Sequence, residues 1–302
     1  MNEQTTATKC GFVAIVGATN AGKSTLVNQA VGTKISIVTH KVQTTRSRVL
    51  GVMIEDNAQI VLVDTPGIFD PRRRLDRAMI QAAWQGAADA DVVALIVDAK
   101  RGATEDVLGI IEKLADIKAP KLLVLNKIDL LERSRLLDLT AKLNASGIFQ
   151  ETLMVSALNG DGVRDLISQF TRHMPDSPWL FPEDQLTDMP NRLLAAEITR
   201  EKAFLRLHQE LPYSLTVETD TWEERKDGSV KIDQTIFVTR DGHKGIVIGK
   251  SGATLKAIGA EARAELEEIL GHRVHLFLFV KVRERWLEDP ERFRNIGIEF
   301  NS

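Results

Sequence analysis

The 302-residue chain is long enough for two domains, each with a core of its own. Its 43% hydrophobic and 27% charged residues exclude a disordered or fibrous chain, and a net charge of −3 excludes a global field drawing it to nucleic acid, so any such binding needs a local patch. One cysteine, Cys10, cannot form an internal disulfide and suits a reducing cytosol, and no apolar run is long enough to span a membrane.

Residues 1–10 read as a polar lead-in without a signal-peptide core. From 11 to 174, strand-like and helix-like segments alternate, which predicts an α/β fold with a mostly parallel sheet and ligands beyond the carboxyl ends of its strands. Phe12–Val16 is the first strand. Gly17-Ala18-Thr19-Asn20-Ala21-Gly22-Lys23-Ser24 follows it, fits G-x-x-x-x-G-K-[ST], and opens a helix over Thr25–Val31. Gly17 and Gly22 let the backbone bend around a phosphate chain, and the loop amides and the helix N-terminus form an anion nest. Lys23 supplies charge to the β- and γ-phosphates, and Ser24 a hydroxyl for Mg²⁺.

Ile35–Arg48 is polar, has no period, and sits where a nucleotide-sensing loop is needed. One of its threonines, Thr45 in preference to Thr44 by analogy with related Thr-Arg sequences, reaches Mg²⁺ in the triphosphate state. Val49–Ile54 and Gln59–Val63 are neighbouring strands, the second ending in Asp64-Thr65-Pro66-Gly67. Asp64 is placed to hold a magnesium-bound water and the Gly67 amide to meet a γ-phosphate. Ile68 follows, where a water-orienting glutamine stands in Ras-like proteins, and it cannot orient water. Helices are predicted over Leu75–Ala88, Thr104–Ala115 and Glu132–Leu143, with strands at Val92–Val97 and Lys121–Leu125. Asn126-Lys127-Ile128-Asp129 ends the latter strand. The Asp129 carboxylate can accept from N1–H and the amine of guanine, donors that adenine does not offer there, while Asn126 braces loops and the Lys127 stem covers the base. After a strand at Thr152–Val155, Ser156-Ala157-Leu158 lets backbone amides approach the guanine carbonyl, and a helix runs from Val163 to His173.

Residues 175–190, rich in proline, form a linker that packs partly onto a neighbour. A second domain over 191–285 then reads helix (Arg192–Leu207), strand (Tyr213–Thr221, with Leu215, Val217, Thr219 and Thr221 on one face), Asp227-Gly228 turn and strand (Val230–Val238). Next come Gly245-Ile246-Val247-Ile248, the G-x-x-G of Gly249-Lys250-Ser251-Gly252, a helix, and a strand at Val274–Val282. This is the order of a small α+β KH module of type II, whose G-x-x-G presses on a nucleic-acid backbone. Lys250 would meet a phosphate, with Gly245, Ser251 and Lys256 beside it and Ile246, Ile248 and Leu255 facing the bases. From Arg240 to Arg285 stand nine Lys or Arg against six acids, a modest basic patch. The tail, 286–302, either flanks the same RNA or folds back.

The two motif sets together resemble the Era family of bacterial GTPases, a resemblance extending to Phe181-Pro182-Glu183-Asp184, Glu210-Leu211-Pro212-Tyr213-Ser214 and Val280-Lys281-Val282. The family implies a P-loop GTPase that binds GTP/GDP and Mg²⁺ and a KH domain on single-stranded small-subunit (16S-type) ribosomal RNA near its 3′ end. It further implies a role in assembling the 30S subunit, a cytoplasmic monomer, and peripheral contact with the inner membrane. Lys23, Thr45 and Gly67 are the catalytic set it implies. Relatives with isoleucine or leucine after D-x-x-G use an asparagine at the position of Asn20 to hold potassium beside the phosphates, and Arg72-Arg73-Arg74 offers arginine as the other source of charge, or a plain solvated run. Two rival readings remain from the residues alone: an RNA adaptor with a vestigial nucleotide site, and a GTPase acting on a protein or membrane partner with the KH-like domain as scaffold.

Overall fold

The computed structural model describes residues 7–41, 44–69, 71, 74–208, 211–284 and 286. They form two compact units, and the second takes in residues 37–41, 44, 74 and 75 as well as the chain from Met189. The expectations for Gln43, Arg72, Arg73, Glu210, Arg285 and 287–302 lie outside the described residues.

The first unit is built on a six-stranded sheet of β1 (Lys9–Val16), β2 (Val49–Glu55), β3 (Ala58–Asp64), β4 (Val92–Asp98), β5 (Lys121–Asn126) and β6 (Glu151–Val155), in the order β2-β3-β1-β4-β5-β6. Only β2 runs antiparallel, against β3, across the tight turn at Asp56 and Asn57. The central strands are continuous apolar runs, as a sheet covered on both faces requires, and every residue of β3 and β5 is buried. Five helices accompany them: α1 (Lys23–Val31), α2 (Arg74–Ala88), α3 (Glu105–Leu114), α4 (Arg133–Asn144) and α5 (Val163–His173). One large cluster joins Val93, Leu95 and Val97 of β4 and Leu123 and Leu125 of β5 to Val107, Ile110 and Leu114 of α3 and Leu136 and Leu139 of α4. Strand order reverses at β1, so the crevice beyond its carboxyl end is where such a sheet binds ligands. Helix α1 begins at Lys23, two residues before the expected start, because left-handed Gly22 (φ 92°) already turns the chain into the helix. Gln59, buried in β3, anchors the proline-rich stretch by accepting from the Leu180 and Phe181 amides at 2.8 and 3.0 Å.

The second unit contains α6 (Asn191–Arg206), β7 (Leu215–Glu224), β8 (Val230–Val238), α7 (Asp241–Ile248), α8 (Ala253–Leu270) and β9 (Val274–Val282). The sheet order is β7-β8-β9, with β7 antiparallel and β9 parallel to β8, the type II KH arrangement. The expected single face of β7 is corrected by a bulge between Thr219 and Thr221: the extra residue flips the alternation, and Trp222 rather than Thr221 joins the core beside Leu194, Ile232 and Ala262. The segment from Ile37, read as polar and aperiodic, is largely held in this unit. Ile37 packs with Leu194, Ile198 and Ile232, the Val38 amide donates to Glu201 Oε1 at 2.7 Å, and Lys41 donates to the Phe204 and Leu207 carbonyls at the end of α6. Arg200 donates to the Thr44 carbonyl. Trp286 is buried, its Nε1 donating to Ser214 O at 3.2 Å, so at this residue the tail folds back.

Candidate functional site

The glycine loop leaves β1 with Gly17 at φ 154°, where a Cβ would stand 2.4 Å from the Ile96 carbonyl oxygen. No side chain fits there, and the backbone is left open toward the anion. Ala18 and Ile68 bridge, and the Ile68 amide donates to Gly17 O at 3.1 Å, tying the D-x-x-G stretch to the loop. Lys23 is buried, its Nζ donating to Gly17 O and Ala18 O at 3.1 and 3.0 Å. Burial pulls its pKa down to about 8, against the opposing pull of Asp64. A buried ammonium hydrogen-bonded only to carbonyls is poised to gain from an arriving phosphate.

Ser24, Thr45 and Asp64 come together as the sequence proposed. Ser24 Oγ lies 2.9 Å from Thr45 Oγ1 and donates to Asp64 Oδ2 at 2.7 Å. Asp64 is fully buried, and burial raises its pKa more than Ser24, Lys23 and the neighbouring hydroxyls lower it. Its Oδ1 and the buried Ser36 hydroxyl make no hydrogen bond of good geometry, although Ser36 lies close enough to help lower the Asp64 pKa. An all-oxygen set with an unsatisfied carboxylate oxygen fits a hard divalent ion that keeps part of its water shell, which is Mg²⁺ chemistry. Ser36 was missed from sequence, since a serine in an aperiodic loop carries no signal. Thr65 is buried too, donating from Oγ1 to Ile15 O at 2.8 Å, while Pro66 and Gly67 continue the turn.

The base-recognition elements meet on the other side of the loop. Asn126, buried at the end of β5, donates to Ala21 O at 2.8 Å and accepts from the Lys127 and Ala157 amides at 2.8 and 3.0 Å. It therefore braces three loops, and the Ala157 amide expected to face a base carbonyl is engaged by it. Lys127 Nζ sits 2.7 Å from both Asn20 O and Asp98 Oδ2. Asp98 ends β4 and was not singled out from sequence, although an acid at a strand's carboxyl end was the available clue. Arg101, also missed, donates to Thr19 O at 3.3 Å, so two cations engage the outward carbonyls of the phosphate loop. Ile128 and Asp129 start a 3₁₀ turn, and the exposed Asp129 carboxylate is aimed by Ser156, which donates to Oδ1 at 2.6 Å. Leu158 is exposed beside it. Asn20 takes a left-handed conformation (φ 63°), and Thr25 lies in the first turn of α1.

In the second unit, Gly249 (φ 74°) and Gly252 (φ 78°) flank Lys250 and Ser251. A Cβ on Gly249 would meet Thr254 Oγ1 at 2.2 Å, so the loop can lie flat on the start of α8 only with glycine there. Lys250, Ser251 and Lys256 are exposed, as are Gly245 and Ile246 on α7, while Ile248 and Leu255 are half-buried.

Residues 12–127 match the family model described as 50S ribosome-binding GTPase, and residues 210–287 match the KH domain model. GTPase Era of Afipia carboxidovorans is 59% identical over 298 residues, covering 99% of this chain and 97% of its own length. GTPase Era of Sinorhizobium medicae is 58% identical over 304 residues, covering 99% and 98%. Among solved structures, Era in complex with MgGDPNP and nucleotides 1506–1542 of 16S ribosomal RNA superposes with a TM-score of 0.93 at 40% identity, over 97% of this chain and 100% of that one. A point variant of Aquifex aeolicus Era bound to GDP and AlF4⁻ gives 0.92 at 40% identity with the same coverage.

Proposed function

The chain belongs to the GTPase Era family, and from that premise we propose that it is a GTP-hydrolysing switch that binds 16S-type ribosomal RNA near its 3′ end through the KH domain and assists assembly of the 30S subunit. The observation that carries the reading is the convergence of Ser24, Thr45 and Asp64 beside a buried Lys23 in one unit, with an exposed Lys250 loop in the other. The 16S segment bound by the similar structure, rather than the wording of the broad GTPase model, sets the small-subunit assignment.

In this reading residues 17–25 wrap the phosphates, Lys23 neutralises charge on the β- and γ-phosphates, and the Gly67 amide meets the γ-phosphate. Ser24 and Thr45, with Asp64 behind them, would hold Mg²⁺, which supplies charge neutralisation between the phosphates. Asn126, Lys127 and Asp129 hold guanine, with Ser156 fixing the Asp129 carboxylate. Buried Ile68 cannot place the attacking water; separately, by resemblance to relatives with isoleucine or leucine at that position, Asn20 would help hold a potassium ion beside the phosphates, which would supply positive charge to the transition state. Hydrolysis removes what holds Thr45, and the segment continuing into Thr44 and Lys41 is the part of the sensing loop that the KH unit grips.

In this reading the protein works in the cytoplasm, where the small subunit is assembled. Among the described residues no helix is long and apolar enough to cross a membrane. Turnover of GTP against ATP, with ultraviolet crosslinking of Lys250 to the 16S segment, tests the reading. Equal use of both nucleotides sinks the guanine site, and crosslinking indifferent to the Gly249–Gly252 loop favours a protein partner instead.

A further inference from the structure

Helix α7 has two flanks, one on either side of buried Val247. Residues advance about 100° per step along a helix, so His243 and Ile246 share one flank while Lys244 and Ile248 lie on another. The RNA floor read from the sequence uses Ile246, Ile248 and Leu255. Of these only Ile246 lines the groove on the His243 flank, and Ile248 and Leu255 do not. That groove has a floor of Leu207, Leu211 and Ile246 and a rim of Arg206, His208 and His243. Its volume is about 280 Å³. Ligand sites start near roughly 300 Å³, so the groove suits one compact group rather than a helix or a peptide strand.

We propose that this flank is a subsite for one further unstacked nucleotide of the single-stranded RNA held by the Gly249–Gly252 loop. The inference rests on the RNA-binding reading and adds Arg206, His208 and His243, which that reading does not use. Three observations carry it. The first is continuity: Thr254 is a wall of the groove and also the residue against which Gly249 lies, its Oγ1 2.2 Å from where a Cβ would be. A second opening of about 490 Å³ shares Arg206, His208 and Thr254 with the groove and adds Leu205 and Ala253, so a strand leaving the loop has a path into it. The second is chemistry: imidazole and guanidinium planes are the surfaces on which splayed bases stack, and three such side chains ring an apolar floor. Ile246 is 57% exposed, an apolar surface within reach of a base stacked on the rim. The third is preorganisation. Arg206 is gripped through Nε and Nη2 by the two carboxylate oxygens of Glu261, which fixes its plane, and the His243 ring is within 3.2 Å of Thr239 Oγ1.

Just past the end of α6, beside the groove, Lys41 of the expected nucleotide-sensing segment donates to the Leu207 carbonyl.

The test uses the full chain with the GTP analogue GDPNP and the RNA 16S 1506–1542, into which single abasic sites are walked one position at a time. One abasic position outside the stretch read by the Gly249–Gly252 loop is expected to weaken binding by roughly 5- to 150-fold, the equivalent of about 1–3 kcal/mol of base stacking. In His243→Ala, and separately in His208→Ala, that position's penalty is expected to vanish while penalties elsewhere persist and GTP turnover without RNA is unchanged. Lys250→Ala should weaken binding without erasing the position-specific penalty. An abasic profile of the same shape in the unmodified protein and both variants overturns the subsite and leaves the RNA reading standing. No RNA binding by the unmodified protein overturns both.

Discussion

Replacing Lys23 by methionine removes a charge at nearly constant length, and the structure says what that does without nucleotide. A fall in pKa from 10.5 to about 8, at 1.36 kcal/mol per pH unit, means the buried ammonium costs the unliganded fold about 3 kcal/mol. The variant forfeits the two bonds to Gly17 O and Ala18 O, so a net gain of about 1–3 kcal/mol is expected below pH 8. That corresponds to a melting point raised by roughly 2–12 °C for a unit of this size. The pH dependence fixes the cause. Between pH 8 and 10.5 the unfolded chain binds the Lys23 proton and the folded chain does not, so stability of the unmodified protein rises with pH across that window. The methionine advantage is therefore full below pH 8 and fades toward pH 10.5. Calorimetry without nucleotide at pH 7 and near pH 10 reads this directly. GTP with Mg²⁺ should reverse the order, since only the lysine gains the phosphates. A variant melting below the unmodified protein at pH 7, or an advantage that does not shrink with pH, refutes the reasoning.

Asp129→Asn removes two charge-assisted hydrogen bonds to guanine, so GTP affinity should fall by about 100-fold while xanthosine triphosphate, with a carbonyl in place of the amine, gains; a nucleotide-binding titration measures both. Ser156→Ala leaves the Asp129 carboxylate unaimed and should weaken GTP binding about fivefold, with the preference over ATP retained. Replacing potassium by sodium should slow turnover by about 100-fold, and Asn20→Ala should abolish that sensitivity; turnover equal in both salts refutes the potassium assignment. Gly249→Ala puts a methyl group 2.2 Å from Thr254 Oγ1 at φ 74°, so RNA affinity should drop about tenfold with GTP turnover intact.

The fold was legible wherever it depends on neighbours along the chain. The glycine loop, Asp64 at the end of β3 and Asn126–Asp129 after β5 each announce themselves because strand, turn and helix must follow in order within a few residues. Even the KH order survived the weakness of its G-x-x-G, since the elements around it were periodic. What was hidden depends on distant contacts. Nothing near Ile37 or Lys41 says that they pack on α6, and nothing near Asp98 says that it pairs with Lys127. The β7 bulge was hidden for a different reason: Thr219, Asp220 and Thr221 all suit a strand, and only pairing with β8 decides which one is extra. Arg101 acts through a single hydrogen bond, which leaves no pattern in a sequence.

The claim on which the rest depends is that the guanine-nucleotide site and the RNA groove share one free energy. Affinity of the full chain for 16S 1506–1542 with GDPNP and with GDP measures it. The account predicts tighter binding with GDPNP by roughly 5- to 150-fold, as a coupling of 1–3 kcal/mol gives. Identical affinities in the two nucleotide states would contradict it.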